Sequence, residues 1–129
     1  MPAMPLLLAA AFALCNHGSR ITCVVDGDTF WLQGEKVRIA DINAPETHSA
    51  QCPFEQNLGD RATLRLIALL NAGPFALATF GSRDRDRYGR LLRVVTRRGR
   101  SLGIALVDEG LAEHWKGRRS SWCEAVLPG

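Results

Sequence analysis

The sequence predicts a mixed α+β domain: a five-stranded β-barrel of the OB type, with a helix inserted after strand 3 and a C-terminal helix. Three observations predict it. Five short apolar runs lie between turn residues, helical spacing interrupts them after the third run, and 129 residues suit one domain. Periodicity by itself also fits other α+β arrangements.

The first three predicted strands form a meander. They are the apolar runs at 21–26, 29–33 and 36–42, separated by Asp26-Gly27-Asp28 and by Gly34-Glu35. Short runs that end in such turn residues are typical of antiparallel hairpins.

The spacing of apolar residues changes after the third predicted strand. Pro45 disfavours helix at the residue before it, so a loop is expected from 43 to 53. Apolar residues recur with helical spacing between 55 and 71, and Asn71-Ala72-Gly73-Pro74 is a stop signal.

The remaining elements follow in the same way. Residues 75–80 and 90–97 are expected to be strands on either side of a charged loop. Ser101 is a suitable N-cap for the second helix, which Gly110 closes.

Composition places the chain among globular proteins. It is 47% hydrophobic and 22% charged, which excludes wholesale disorder, and it has no apolar run long enough to span a membrane. The net charge of +3 conceals an uneven distribution. Residues 83–100 contain eight Arg and two Asp, a local balance of +6, and the remainder is mildly acidic.

The N-terminus and the cysteines predict export. Residues 1–13 are interpreted as a signal peptide because Leu6 to Leu14 form an apolar run with a small-residue cleavage motif, although basic residues are missing before it. A lipoprotein anchor at Cys15 and a plain apolar extension are the alternatives. The domain itself is expected at 20–127, secreted or periplasmic.

Four cysteines allow three disulfide pairings, and the sequence cannot choose among them. We prefer Cys15 with Cys23 and Cys52 with Cys123, because the first pair is close in sequence and the second would tie down the C-terminal tail. Free buried thiols are the alternative. Scattered histidines and the lack of C-x-x-C spacing make a structural zinc site a poor interpretation.

Three polar groups could carry chemistry, and each has a simpler structural explanation. Asp26-Gly27-Asp28-Thr29 is either a hairpin turn or a source of hard oxygen ligands. Arg38, inside an apolar strand, needs an acidic partner or a phosphate, and the structural explanation is an ion pair with Asp41 or Glu46. The run from Asp84 to Arg90 is either a solvated loop or a phosphate clamp with one aromatic ring.

Together, in this order, these segments resemble the staphylococcal nuclease (thermonuclease) family. The resemblance runs from about Cys23 to Trp115 and rests on V-V-D-G-D-T, K-V-R-I-A-D-I-N-A-P-E-T, G-D-R-A-T, D-R-Y-G-R-L-L and L-V-D-E-G-L-A. It implies an OB-fold and a Ca²⁺-dependent endonuclease that cuts DNA or RNA with low specificity and leaves 3′-phosphate ends.

The resemblance also implies roles for single residues. Those matched to catalysis are Arg38 and Arg90 on the scissile phosphate and Glu46 on the attacking water. Those matched to the metal or its surroundings are Asp28, Asn43 and the Ala44 carbonyl, with Asp26 and Asp41 beside them. Those expected to contact substrate are Tyr88, Arg87 and Arg85.

Asn43 departs from the family, which usually carries a second metal-binding Asp there. An Asn carbonyl can still bind Ca²⁺, but one negative charge is lost, so weaker metal affinity is expected. Asp41 would share a face with Asn43 if the strand stayed regular, and could partly compensate. The family's C-terminal tyrosine also has no obvious counterpart, since Lys116 falls near its place.

The sequence therefore predicts an exported, monomeric Ca²⁺-dependent nuclease acting on DNA and/or RNA, with no membrane partner beyond export. The rival interpretation is a catalytically lapsed OB-fold domain that binds nucleic acid or protein. A disulfide-rich toxin or inhibitor scaffold is disfavoured by the apolar helix and strands.

Overall fold

Three short strands form the meander that the sequence predicts. The computed structural model describes residues 6–16, 18 and 20–123. β1 (Cys23–Asp26), β2 (Thr29–Leu32) and β3 (Glu35–Ile39) pair antiparallel, and the fully buried Phe30 lies opposite core valines on both neighbours. Gln33 and Gly34 both have positive φ, as a two-residue hairpin of the right twist requires.

The third predicted strand, 36–42, is in fact two strands. β3 ends at Ile39, and β4 (Ile42–Asn43) begins after a turn. The break has a physical cause, because the Arg38 guanidinium donates to the carbonyls of both Ile39 and Ile42. The Ala40 N–H donates to the backbone carbonyl of Arg93 across the sheet.

The main sheet has six strands. β6 (Leu91–Arg97) pairs in parallel with β3 and antiparallel with β5 (Ala76–Thr79), which gives the order β1-β2-β3-β6-β5. β7 (Arg100–Ser101) also pairs with β6. A separate two-stranded sheet joins β4 to β8 (Glu113–His114).

Both predicted helices are present. α1 (Pro53–Asn71) begins with proline in its first turn and buries the stripe Leu58, Ala62, Leu66 and Leu70 against the sheet. α2 (Leu102–Asp108) is capped by the Ser101 hydroxyl, which accepts from the Ile104 N–H at 3.1 Å. The mixed α+β class and the helix after the meander are confirmed. The described residues form eight strands where five were predicted, and closure into a five-stranded barrel stays a prediction.

The segment at residues 6–16, called the N-terminal segment below, packs into the fold. Leu8 exchanges backbone hydrogen bonds with Phe75 just before β5, and Val24 of β1 bonds with Ala13 and Cys15. Phe12, only 5% exposed, packs edge-on against Phe30. The export signal predicted at 1–13 thus includes core residues, and its first five residues lie outside the described part of the chain, as do 124–127 of the predicted domain.

Both preferred disulfides are confirmed. Cys15 is bonded to Cys23 on β1, which fastens the N-terminal segment to the sheet. Cys52, immediately before α1, is bonded to Cys123. This second bridge fastens the C-terminal segment, defined as residues 113–123. Over the described residues, no helix has the length and apolar character needed to cross a bilayer.

Candidate active site

The turn between β1 and β2 carries two buried carboxylates. Asp28 accepts at one oxygen from the Thr29 hydroxyl (2.9 Å) and at the other from the Ala44 N–H (2.9 Å). The Asp28 N–H in turn donates to Asp26 Oδ1 at 3.2 Å. These bonds fix the turn and join it to the loop that follows β4.

The two carboxylates titrate very differently. Burial, together with the neighbouring Asp28, raises the pKa of Asp26 to about 9. Burial opposes ionisation of Asp28 as well, but the Arg38 guanidinium and hydrogen bonds from Asp26 and Ala44 outweigh it and lower the Asp28 pKa. These opposite shifts in pKa favour the protonated form of Asp26 and the ionised form of Asp28.

Two glycines allow α1 to approach the turn and the following loop. A Cβ on Gly27 would lie 2.9 Å from the side chains of both Ala44 and Ala62. A Cβ on Gly59 would lie 2.4 Å from the Glu46 carbonyl oxygen, well inside van der Waals contact. The glycines thus let the helix press the 44–46 loop against the acidic turn.

Arg38 is buried and held on several sides, with its hydrogen bonds made through Nη1. Besides its two carbonyl acceptors it lies 3.6 Å from Asp28 Oδ2, and the Trp115 ring covers its guanidinium at 5.6 Å. A buried cation held on several sides keeps one orientation. The acidic partner of Arg38 is thus Asp28, and the predicted pairing with Asp41 or Glu46 is wrong, because those carboxylates pair with Ser101 and Arg119.

Asn43 is completely buried, and one of its two amide atoms is left free. Its Nδ2 donates to Glu113 Oε1 at 3.2 Å, across the β4–β8 pair. A carboxylate can only accept, so Glu113 fixes which end of the amide faces it. Asn43 Oδ1 has no hydrogen-bond partner among the described residues. A buried acceptor without a partner is costly unless a ligand completes it.

Glu46 is held at both its backbone and its side chain. Its N–H donates to Glu55 Oε2 at 3.0 Å, and the other Glu55 oxygen accepts from the Gln51 N–H. The Glu46 carboxylate is paired with Arg119 Nη1 of the C-terminal segment. It lines a cavity of 280 Å³ that also includes Asn43 and Glu55.

Arg90 and Arg38 both line a second cavity, of 520 Å³. Arg90 Nε donates to Asp86 Oδ2 at 2.6 Å, which fixes the guanidinium at the end of the charged loop. Burial would raise the pKa of Asp86, but its bonds to Arg90 lower it. Tyr88 is 68% exposed, and Arg87 and Arg90 both lie against its ring.

Two predicted residues lie elsewhere. Arg85 does not line this cleft; it makes a two-pronged ion pair with Glu35 at 2.9 and 3.1 Å and bonds the Gly89 carbonyl. Asp41 lies in the turn between β3 and β4, so the regular strand on which its placement beside Asn43 depended does not exist. Its carboxylate accepts from Ser101 at the start of α2.

Four site residues escaped sequence reasoning: Glu55, Glu113, Trp115 and Arg119. Glu55 is the acidic residue in the first turn of α1, which the sequence could have indicated, but no sequence feature predicted its hydrogen bond to the Glu46 N–H. The other three belong to a segment that is brought to the site by long-range contacts, among them the β4–β8 pair and the Cys52–Cys123 bridge.

The oxygen donors suit a hard cation. Asp28 supplies an ionised carboxylate and Asn43 supplies the unpartnered carbonyl oxygen, both of types that Ca²⁺ prefers. No cluster of three or more His, Cys, Asp or Glu side chains with metal-binding geometry occurs in the described part of the chain.

Comparison with known proteins assigns the family. The sequence profile of the family described as Staphylococcal nuclease homologue matches residues 36–125, which include Arg38, Asn43, Glu46 and Arg90. Asp26 and Asp28 precede the matched region.

Bacterial relatives agree. The chain is 35% identical over 99 residues to Endonuclease YhcR and 37% identical over 92 residues to Endonuclease YncB, both of Bacillus subtilis, covering 69% and 68% of this chain. It is 30% identical over 101 residues, 78% of this chain, to an uncharacterized endonuclease of Haemophilus influenzae. These matches cover 8%, 43% and 49% of the relatives' own lengths, so the chain corresponds to less than half of each. The chain belongs to the staphylococcal nuclease homologue family.

Proposed function

We propose that this protein is a Ca²⁺-dependent endonuclease that hydrolyses phosphodiester bonds in DNA and/or RNA with low sequence specificity and leaves 3′-phosphate ends. Three relatives bear the name endonuclease. The observation that carries the proposal is one cleft lined by both Arg38 and Arg90, next to the cavity of Glu46. Two guanidiniums beside a carboxylate suit phosphoryl chemistry, in which charge stabilisation and positioning dominate.

The chain's own residues divide the work. Arg38 and Arg90 bind the non-bridging oxygens of the scissile phosphate, and their planar forks match two oxygens each. Arg38 is held by Asp28 and by backbone carbonyls, and Arg90 by Asp86, so neither needs much reordering when substrate binds. Glu46 orients the attacking water and accepts its proton. Tyr88 and Arg87 contact the strand beside the cleft.

Asp28 and Asn43 would hold Ca²⁺, with the Ala44 carbonyl as a further ligand and Asp26 nearby. The cation would supply positive charge for the phosphate oxygens as negative charge builds on them. Asn43 contributes an oxygen without a charge, which is why we expect weaker Ca²⁺ binding than a two-Asp site would give.

The remaining proposals concern the whole molecule. We propose a monomer on an OB-type barrel that acts outside the cytoplasm, where its two disulfides are stable. DNA and RNA are its proposed partners. The signal peptide at 1–13 remains part of this proposal, with the consequence that cleavage after Ala13 would remove Phe12 from the core.

One experiment tests the activity and the assignment of Glu46. Plasmid and single-stranded DNA are incubated with the protein in millimolar Ca²⁺, with and without chelator, beside Glu46→Ala. We expect cleavage that the chelator abolishes and that the variant loses by about 10²-fold or more, the usual contribution of a positioned base. If the unmodified protein cuts nothing, the lapsed binding domain is the better interpretation. If Glu46→Ala cuts normally, the base lies elsewhere.

A second experiment tests Asn43, with Ca²⁺ affinity measured by calorimetry on the protein without substrate. Asn43→Asp restores a carboxylate but sets it against Glu113, so we expect only a modest gain in affinity. Asn43→Asp combined with Glu113→Gln removes that repulsion, and we expect it to bind Ca²⁺ about tenfold more tightly than the unmodified protein. Equal affinity in all three proteins would remove Asn43 from the metal site.

A further inference from the structure

Arg119 is shared by two cavities. It lines the 280 Å³ cavity of Glu46 and also the 520 Å³ cleft of Arg38 and Arg90, and among the described residues it alone lines both. Its guanidinium is paired with the Glu46 carboxylate, while 45% of the Arg119 side chain stays exposed. The residue that would act on water is therefore covered by a cation that also faces the phosphate cleft.

Contacts on both sides of Arg119 in the chain hold it beside the two cavities. On one side, β8 pairs with β4, and the Trp115 N–H donates to the Asp41 carbonyl at 2.9 Å. On the other side, Cys123 is bonded to Cys52 at the start of α1. The span from Trp115 to Cys123 is thus a closed strap, and Arg119 lies in its middle.

The Arg119–Glu46 pair is easily exchanged. Both side chains are partly exposed (45% and 29%), and ion pairs of that kind contribute about 0–1 kcal/mol. A phosphate in the neighbouring cleft offers a guanidinium two oxygens, a geometry at least as favourable as the carboxylate. Exchange of Glu46 for phosphate would also uncover the Glu46 carboxylate at the moment when substrate is present.

We infer that Arg119 is a third substrate-binding arginine, which leaves Glu46 on arrival of nucleic acid and binds a phosphate of the bound strand. The inference rests on the proposed function for its substrate, a phosphodiester, and it goes beyond it by assigning a binding role to the disulfide-closed strap. The Cys52–Cys123 bridge keeps this arginine at the cleft.

Arg119→Ala tests the inference, with Arg118→Ala as the matched control. Arg118 is exposed, makes no ion pair among the described residues and lines neither cavity, so its loss removes the same charge from the same segment. Binding of a short fluorescent single-stranded DNA is measured by anisotropy in chelator, where no cleavage occurs. We expect Arg119→Ala to weaken binding about tenfold, the loss of one charge-assisted contact, and Arg118→Ala to change it little.

Kinetics in Ca²⁺ give a second readout. Arg119→Ala should raise KM about tenfold with little change in kcat, because the contact is present before and during the reaction. Arg119→Lys should fall in between, since it keeps the charge and loses the fork. If the binding or KM of Arg119→Ala matches that of Arg118→Ala, the inference is wrong. If the unmodified protein did not cleave DNA, the proposed function would be wrong. The anisotropy measurements would still show whether Arg119 binds DNA, because they do not depend on cleavage.

The bridge is tested separately, with thermal unfolding as the check that the variant folds. The double variant Cys52→Ser/Cys123→Ser should weaken DNA binding nearly as much as Arg119→Ala does. The triple variant that combines these substitutions with Arg119→Ala should bind DNA only slightly more weakly than Arg119→Ala alone. Fully additive losses would show that the bridge does not act through Arg119.

Discussion

The two terminal segments of the described chain are each fastened by a disulfide, but they differ in what they contribute to the protein. The N-terminal segment and the C-terminal segment each lack long strands of their own, and each is fastened by one disulfide. The N-terminal segment is apolar and places Phe12 in the core. The C-terminal segment is polar and places Trp115 and Arg119 on Arg38 and Glu46.

This difference shows how side-chain chemistry divides stability from function. A fastened apolar segment lowers the free energy of the folded state, because it removes apolar surface from water. A fastened polar segment gains little from its exposed ion pairs, but it fixes charged groups where substrate would bind. We therefore expect changes in the first segment to affect unfolding and changes in the second to affect binding.

In the uncleaved chain, which retains the N-terminal segment, the largest effect on stability should come from Phe12→Ala. Phe12 packs against Phe30 and Phe75, so its loss leaves a cavity and should lower the free energy of unfolding by about 3–5 kcal/mol. Urea unfolding measures the change. Phe54→Ala, at a 41% exposed position, is the matched control and should cost much less. If Phe12→Ala lowered the free energy of unfolding as little as Phe54→Ala does, the N-terminal segment would not be part of the core.

Asn71→Ala should have a smaller effect of the same kind. The Asn71 amide accepts from the Phe12 N–H at 2.8 Å and donates to the Phe12 carbonyl at 2.9 Å, so it ties the segment to the end of α1. We expect a loss of about 1–3 kcal/mol in urea unfolding, since two backbone groups lose their partner. The exposed Asn57→Ala is the control, and a larger loss there would contradict the assignment.

Trp115→Ala, in the C-terminal segment, should affect substrate binding more than stability. The ring covers Arg38 at 5.6 Å, a contact of about 0.5–1 kcal/mol, so KM for single-stranded DNA should rise a few-fold while the unfolding free energy changes by less than about 1 kcal/mol. Trp115→Phe keeps a ring and should restore most of the binding. A large loss of stability with unchanged KM would place this segment in the same class as the N-terminal one.

Local patterns were sufficient for most of the fold. The i, i+4 stripe of α1, the Ser101 cap and the turn residues of the meander each depend on neighbours within a few positions, and all are found where they were expected. The break at Ala40–Asp41 was not foreseen, because it depends on where the Arg38 guanidinium finds its acceptors. Asp41, predicted near Asn43, accordingly bonds Ser101.

The basic run at 83–100 shows a similar limit. The sequence gives eight arginines within it, but their partners are distributed by the fold. Arg85 pairs with Glu35, which lies 50 residues away in the chain, and does not line the cleft, whereas Arg87 and Arg90 do. A charge count therefore predicted a basic surface, but it could not show that Arg85 pairs with Glu35 while Arg87 and Arg90 line the cleft.

The sequence by itself determined the family, the mixed α+β class and the residue types of the site, because motifs and periodicity are written in neighbouring positions. Only the tertiary structure decided that Glu113 orients Asn43, that Arg119 covers Glu46, and that Phe12 belongs to the core. All of these contacts cross between elements, and all except Phe12 against Phe30 join residues about 60 or more positions apart. Such contacts depend on pairing and packing of the whole chain, which no local pattern encodes.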